Sequence, residues 1–316
     1  MYGWVATVAY DGTEFRGFQV QRGAGPGTRT VQGALEGALE KVTQAPRAEL
    51  RLAGAGRTDA GVHAAGQVVS FQTPRDHDPG RLRHNLNALL PGSVRVLGVR
   101  PAPPDFSARY GCLSKTYTYD FHLDPVLDPR VRHHRAHVYR GGFDLPRAEA
   151  ACRVLRGRHD FTQLSSAPAD GRERDPVRAL LECRCEDLGW QGLGAGVRIT
   201  VRAPGFLYRQ VRHLAGAVRA VAQGRCEPGQ LRELLEAGSS RPRGSHRPIY
   251  TVAPAAGLSL AAVELPPLPP REALCWPGLP HDAAGRVDGA ACLAMEGLGE
   301  EIRQATLGRR DAPGSQ

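Results

Sequence analysis

Residues 54–71, Gly-Ala-Gly-Arg-Thr-Asp-Ala-Gly-Val-His-Ala-Ala-Gly-Gln-Val-Val-Ser-Phe, constrain this chain more than any other stretch. Small residues lead into Arg57-Thr58-Asp59, and a second small-residue run leads out into Gln67 to Phe71, a Val-rich segment with an aromatic end that reads as a strand. An acid is therefore placed on a tight loop beside a strand. Glycines at 54, 56, 61 and 66 admit positive φ and let a flat ligand approach the main chain. Loops on a rigid scaffold are where binding and catalytic groups concentrate. An Asp before Ala-Gly commonly does no more than bond the N–H groups of its own turn. That reading leaves unexplained why Arg57 stands two residues away and why the surroundings are so rich in glycine.

Around this loop the pattern alternates strands and amphipathic helices. Residues 4–10 read as an opening strand stopped by Asp11-Gly12. Thr30 caps a helix with Val31, Leu35, Leu39 and Val42 at helical spacing, and Asp78-Pro79 starts another with Leu82, Leu86, Leu89 and Leu90. Residues 94–99 read as a strand, and Lys115-Thr116-Tyr117-Thr118-Tyr119 as a Thr/Tyr strand whose tyrosines share one face. Core packing is the ordinary use of such a pair. Asp144 caps a helix through Ala148, Ala151, Cys152 and Leu155, strands are expected over 180–186 and 197–203, and a helix carries Leu207, Val211, Leu214 and Val218 inward. On its other flank Arg209, Arg212 and Arg219 recur, and a second basic cluster, Arg241, Arg243, His246 and Arg247, follows a helix started by Pro228. The run Pro266-Pro267-Leu268-Pro269-Pro270 is stiff and poor in donors, and residues 271–316 lack sustained periodicity.

Charge narrows the class of partner. Lys+Arg 41 against Asp+Glu 32 leaves +9, which suits a polyanion. All but two of those bases, Lys41 and Lys115, are arginines, the better residue for forked contact with phosphate and for stacking on bases. The seven cysteines are odd in number and show no C-x-x-C pairing, so neither a disulfide framework nor a zinc site is expected. No run reaches the ~18 apolar residues of a membrane span, and the first residues pass into a strand pattern without a leader, which predicts a cytoplasmic protein.

At this length and order, Gly56-Arg57-Thr58-Asp59-Ala60-Gly61-Val62-His63 resembles the signature of the tRNA pseudouridine synthase A (TruA) family, in which the Asp is the nucleophile. Further boxes are similar: Tyr10-Asp11-Gly12-Thr13 through Gly17-Phe18-Gln19, with Phe18 where the family has Trp; residues 85–92; Gly157-Arg158-His159-Asp160-Phe161-Thr162; residues 206–213, with His213 where the family has Asn; and residues 253–260. The resemblance covers roughly residues 4–265. It implies an α+β pseudouridine synthase fold: two similar α/β halves with mixed, largely antiparallel sheets facing a central cleft. The halves are expected at 1–110, with the Asp loop, and 111–265, followed by a Pro-rich linker and a disordered tail at 266–316. By the same resemblance Tyr117 contacts the base, Arg57 fills the space of a flipped uridine, Leu258 covers the base pocket, and Arg212 matches a substrate-binding position. It further implies a homodimer acting on uridines 38 to 40 in the anticodon arm of tRNA.

That chemistry agrees with what the chain lacks. Moving the uracil bond from N1 to C5 neither oxidises nor transfers phosphoryl, and there is no GxGxxG before a helix, no Gly-Lys-Ser/Thr cradle and no metal constellation. No cofactor or metal is expected. One ionised carboxylate suffices as covalent catalyst, and a neighbouring guanidinium such as Arg57 favours its charged form. A catalytically silent RNA-binding module needs no Arg-Thr-Asp loop. A glycosidase needs a second carboxylate across the scissile bond, and an aspartyl-phosphate enzyme needs metal-binding acids near its Asp.

Overall fold

In the computed structural model the described residues are 1–21, 27–168, 171, 175–189, 193–243 and 249–269. The tail expected from 271 onward lies outside them, as do His246 and Arg247 of the second basic cluster. Contacts divide the chain into two compact units, one of Met1–Ser114 with the described residues from Leu260 on, the other Lys115–Ser259.

The first unit runs β1 (Tyr2–Tyr10), α1 (Val31–Thr43), α2 (Arg47–Leu50), β2 (Ala53–Gly54), β3 (His63–Thr73), α3 (Pro79–Leu89), β4 (Val94–Ala102) and α4 (Ala108–Gly111). β1 is central, antiparallel to β3 on one side and β4 on the other, with Trp4 opposite Phe71 and Pro101. That position explains why Gly3, Trp4, Val5 and Ala6 are buried consecutively instead of alternating. α1 starts as its sequence predicts: Thr30 Oγ1 accepts from Gly33 N at 3.2 Å, and Val31, Leu35, Ala38 and Leu39 form the buried stripe. Burying each of those leucines stabilises by roughly 1.5–3 kcal/mol. α3 repeats the device with Asp78 accepting from Arg81 N at 2.7 Å and Pro79 at its first position. Val5, Ala55, Val68, Ala102 and Ala108 form a small-residue core on which Phe106, Val263, Leu265 and Leu268 pack. Leu268 thus still belongs to the body that the proline run was expected to end.

The second unit contains β5 (Ser114–His122), β6 (Ala136–His137), α5 (Leu145–Leu155), β7 (Gly157–Asp160), β8 (Val177–Leu180), β9 (Glu182–Asp187), β10 (Gly196–Ala203), α6 (Gln210–Ala222) and α7 (Pro228–Ala237). β10 lies between β5 and β9, antiparallel to both; β6 adds a short parallel pair to β5, and β7 with β8 makes a separate antiparallel ribbon. α5 packs on β9, α6 and α7. Cys183 and Cys185 are both buried on one face of β9, opposite Val201 and Ile199.

Two expectations shift here. The strand anticipated over 180–186 is two strands, with β8 pairing β7 and β9 pairing β10. The helix anticipated from Leu207 begins at Gln210, because Arg209 sits at φ 57 in the left-handed region, which no right-handed helix can include. The last strand, β11 (Leu258–Glu264), runs beside β3, and Leu113 N donates to Glu264 O at 2.9 Å. The architecture is α+β with largely antiparallel pairing, the class expected from the sequence.

Candidate active site

The Asp59 loop is fixed from beneath by polar side chains on the strands around it. Gln67, buried in β3, donates Nε2–H to Gly56 O at 2.8 Å and to the Tyr10 hydroxyl at 3.4 Å. The Tyr10 hydroxyl stands 2.8 Å from Thr58 Oγ1 and shares one hydrogen bond with it. Burial, tempered by the hydrogen bonds of Thr58 and Gln67, pushes the Tyr10 phenol up to about 12, so this relay stays neutral at physiological pH. The backbone adds Phe18 N to Thr58 O at 3.0 Å, Val62 N to Asp59 O at 3.1 Å and Ala55 N to Val68 O at 2.8 Å. Residues on both sides of Asp59 are held, and the carboxylate itself is half-buried while Arg57 is exposed.

Glycine serves this loop in two ways. Gly61 takes φ 76, which closes the turn after Asp59. Gly54 makes room for a neighbour: a Cβ there would lie 2.5 Å from the Phe18 ring. Phe18 is buried against Gly54 with its ring centroid 6.4 Å from that of Tyr10. The residue standing where the family has Trp therefore acts as an apolar prop under the loop. The glycine at 54 was read from sequence as admitting a ligand; it admits this ring.

Tyr117, Arg212 and Leu258 belong to the second unit. Tyr117 on β5 is 6 % exposed and meets Phe206 edge-on, centroids 5.2 Å apart. Leu258, also 6 % exposed, opens β11, its N–H donating to Ala255 O at 2.9 Å. Arg212 lies in the first turn of α6 and donates Nε–H to Ala253 O at 2.8 Å, while Ala253 N donates back to Arg212 O at 3.1 Å. The three arginines read as one basic flank part company. Arg209 is exposed with its guanidinium 5.0 Å over the Tyr208 ring, Arg212 is half-buried against the 253 segment, and Arg219 is half-buried, desolvation lowering its pKa.

His213 is held neutral. The Tyr250 hydroxyl donates to Gln163 O at 3.0 Å, so it accepts from His213 Nδ1–H at 2.8 Å, and Nε2 is left to accept from Ser166 Oγ at 3.0 Å. Burial first, then the guanidiniums of Arg212, Arg209 and Arg243, lower its pKa to about 4. Asp160 is a structural cap: it accepts from Thr162 N and Ser239 N, each at 2.8 Å. Although desolvation opposes them, those bonds leave its pKa below the ordinary carboxylate value.

Sequence reasoning missed Tyr10, Gln67 and Tyr119. A Gln inside a Val-rich strand was the available signal for Gln67. Tyr10 opened a family-like box and Tyr119 stood in the Thr/Tyr strand, but a strand tyrosine announces burial and not what its hydroxyl reaches.

The comparisons with known proteins identify the family. Residues 6–111 and 151–266 match the tRNA pseudouridine synthase family. The chain is 39 % identical over 265 residues to the tRNA pseudouridine synthase A of Methylacidiphilum infernorum, covering 84 % of this chain and 96 % of that protein. It is 35 % identical over 243 residues to the protein of the same name from Bacillus subtilis, covering 77 % and 93 %. The relative from Frankia casuarinae, also so named, is 39 % identical over 265 residues, covering 83 % and 89 %. The chain belongs to the tRNA pseudouridine synthase family.

Proposed function

We propose that this isomerase converts uridine to pseudouridine in the anticodon stem-loop of tRNA, at positions 38, 39 and 40, with Asp59 as the nucleophile. The observation that carries the reading is the Asp59 loop: a half-buried carboxylate in the family signature, its flanking backbone held by Tyr10, Gln67 and Phe18. In the reaction the N1–C1′ bond breaks, the uracil turns, and a C5–C1′ bond forms. C5 loses a proton and N1 gains one, so the product is an isomer and no oxidant is consumed. The Asp59 carboxylate lends an electron pair to a transient covalent bond, at C1′ or at C6, and recovers it when the new bond closes.

Within this reading Asp59 is the nucleophile and Arg57 occupies the space left by the flipped base. Tyr117 is the wall on which uracil stacks, worth about 1–3 kcal/mol, and Leu258 is its cover. Arg212 serves from behind by holding the segment that leads to Leu258. The enzyme works as a homodimer in the cytoplasm, a state that sedimentation of the purified protein checks. Among the described residues no helix is long and apolar enough to cross a membrane.

Incubation of uridine-labelled tRNA with the purified protein, without ATP or added metal, should convert label to pseudouridine. Mapping of the product should place it at positions 38 to 40. Label that stays uridine removes the activity, and pseudouridine elsewhere removes the position assignment.

A further inference from the structure

We infer that Tyr119 is a positioning residue for the isomerisation, acting through the segment 253–257 that delivers Leu258; the inference rests on the reading of Leu258 as the cover of the base. This segment precedes β11 and has no sheet ladder of its own to satisfy its carbonyls. Each of four finds a specific donor instead. Ala253 O accepts from Arg212 Nε at 2.8 Å, Pro254 O from the Tyr119 hydroxyl at 2.8 Å, Ala255 O from Leu258 N at 2.9 Å, and Gly257 O from Asp120 N at 2.9 Å.

Tyr119 also shapes the segment by contact. A Cβ on Gly257 would lie 2.7 Å from the Tyr119 ring and from Asp120 O, so the chain passes this ring at a distance only glycine permits. The ring is fully buried and packs beside Phe121 with centroids 4.8 Å apart. A phenylalanine would fill that volume equally well. What tyrosine adds is a single oxygen, and its proton goes to the backbone one residue beyond the Arg212 tether. Burial raises the phenol above its ordinary pKa, so the donor is present throughout the working range of pH. Two residues back on the same strand face stands Tyr117, so β5 carries a proposed base wall and, beside it, the clamp for the segment that brings the cover.

Tyr119→Phe keeps the ring and removes the donor. The variant should lower kcat on tRNA about five- to tenfold, the scale of one buried hydrogen bond, with KM unchanged. If it acts through Leu258, the double variant with Leu258→Ala should turn over no more slowly than the slower single variant. A Phe variant with the parent's kcat, a change confined to KM, or losses that multiply in the double variant would each overturn the proposal. The parent is assayed on the same tRNA; an inactive parent would overturn the uridine-isomerase reading and this inference with it, whereas an active parent with multiplying losses overturns this inference alone. Should the Phe variant not fold, Gly257→Ala strains the same segment from its other side. It should likewise lower kcat with KM held and fail to multiply with Leu258→Ala, and multiplication there counts against the proposal equally.

Discussion

The loop carrying Asp59 and the segment leading to Leu258 solve one problem with related devices. Each is a short glycine-bearing connection that feeds a strand, β3 in one case and β11 in the other. Each is held by the hydroxyl of a buried strand tyrosine, Tyr10 on Thr58 Oγ1 and Tyr119 on Pro254 O, both at 2.8 Å. The difference lies in what surrounds the hydroxyl. Tyr10 is itself held by Gln67, which also grips Gly56 O, so the Asp59 loop rests on a relay of three side chains. Tyr119 acts alone on its carbonyl, with Arg212 and Asp120 N on the neighbouring ones. On the roles proposed above, a nucleophile must be fixed in all directions, whereas a cover needs its path fixed and its tip left to meet the base.

Asp59→Asn against Tyr117→Phe and Tyr117→Leu tests that division most sharply. The Asn variant keeps shape and should bind tRNA while turnover falls by ~10⁴-fold or more. Tyr117→Phe should retain affinity, because stacking uses the π face, and Tyr117→Leu should lose about 1–3 kcal/mol of binding. If the phenol also takes the C5 proton, the Phe variant binds well and turns over ~10²–10⁴-fold more slowly. Binding measured beside single-turnover rates checks all three. Residual turnover in a clean Asn preparation would move the nucleophile elsewhere, and equal affinity and rate for Tyr, Phe and Leu at 117 would return that residue to core packing.

Tyr10→Phe comes next in size. It strips the relay of its centre and leaves the Thr58 hydroxyl short of a buried partner, which should cost about 1–3 kcal/mol of stability. Turnover should fall with KM for tRNA held. An unfolding midpoint and a rate equal to the parent's would show that Gln67 alone holds the loop.

His213 should shape the acid limb of the second unit's stability. Its folded pKa of about 4 lies below the unfolded value of about 6.5, so the fold favours the neutral ring. Stability from this residue is fully present above pH ~6.5, declines as pH falls through the window from ~6.5 to ~4, and levels off below it. The full loss is about 2–3 kcal/mol after allowance for the ring's partial exposure. His213→Asn should flatten that acid limb in denaturant titrations across pH. An unchanged limb would show that another group governs it.

The Asp59 loop stood out in the sequence because its residues are contiguous. Arg57, Thr58, Asp59 and Gly61 stand within five positions, so order alone distinguishes the signature. Helices were legible for a similar reason, since Thr30, Asp78 and Asp144 each announce a cap within three residues of the N–H they accept. What sequence could not supply were the long-range fixings. Tyr10 reaches Thr58 across 48 positions and Tyr119 reaches Pro254 across 135, and no local pattern encodes either. The left-handed Arg209 was hidden too, because arginine carries no signal for positive φ and the apolar spacing runs straight through it to Leu207.

That misread helix start bears on the smallest prediction. A basic stripe inferred from helical spacing treats Arg209 and Arg212 alike, as two cations waiting for phosphate. In the folded chain they differ: Arg209 is exposed at the helix mouth over Tyr208, while Arg212 is tied through Nε to Ala253 O. Arg243 is exposed and near enough to His213 to depress its pKa, so it shares a basic neighbourhood with Arg209 and Arg212. Each lysine or arginine that meets a phosphate releases counterion, and its loss reduces the slope of log affinity against log salt by about one unit. Arg209→Gln and Arg243→Gln should each flatten the slope by about that amount, with modest loss of affinity at physiological salt and little change in kcat. Arg212→Gln should move the slope less than either and lower kcat instead, since its structural tie leads toward Leu258. A full unit of slope lost at Arg212, with kcat intact, would restore the single basic stripe and remove Arg212 from the support of the base cover.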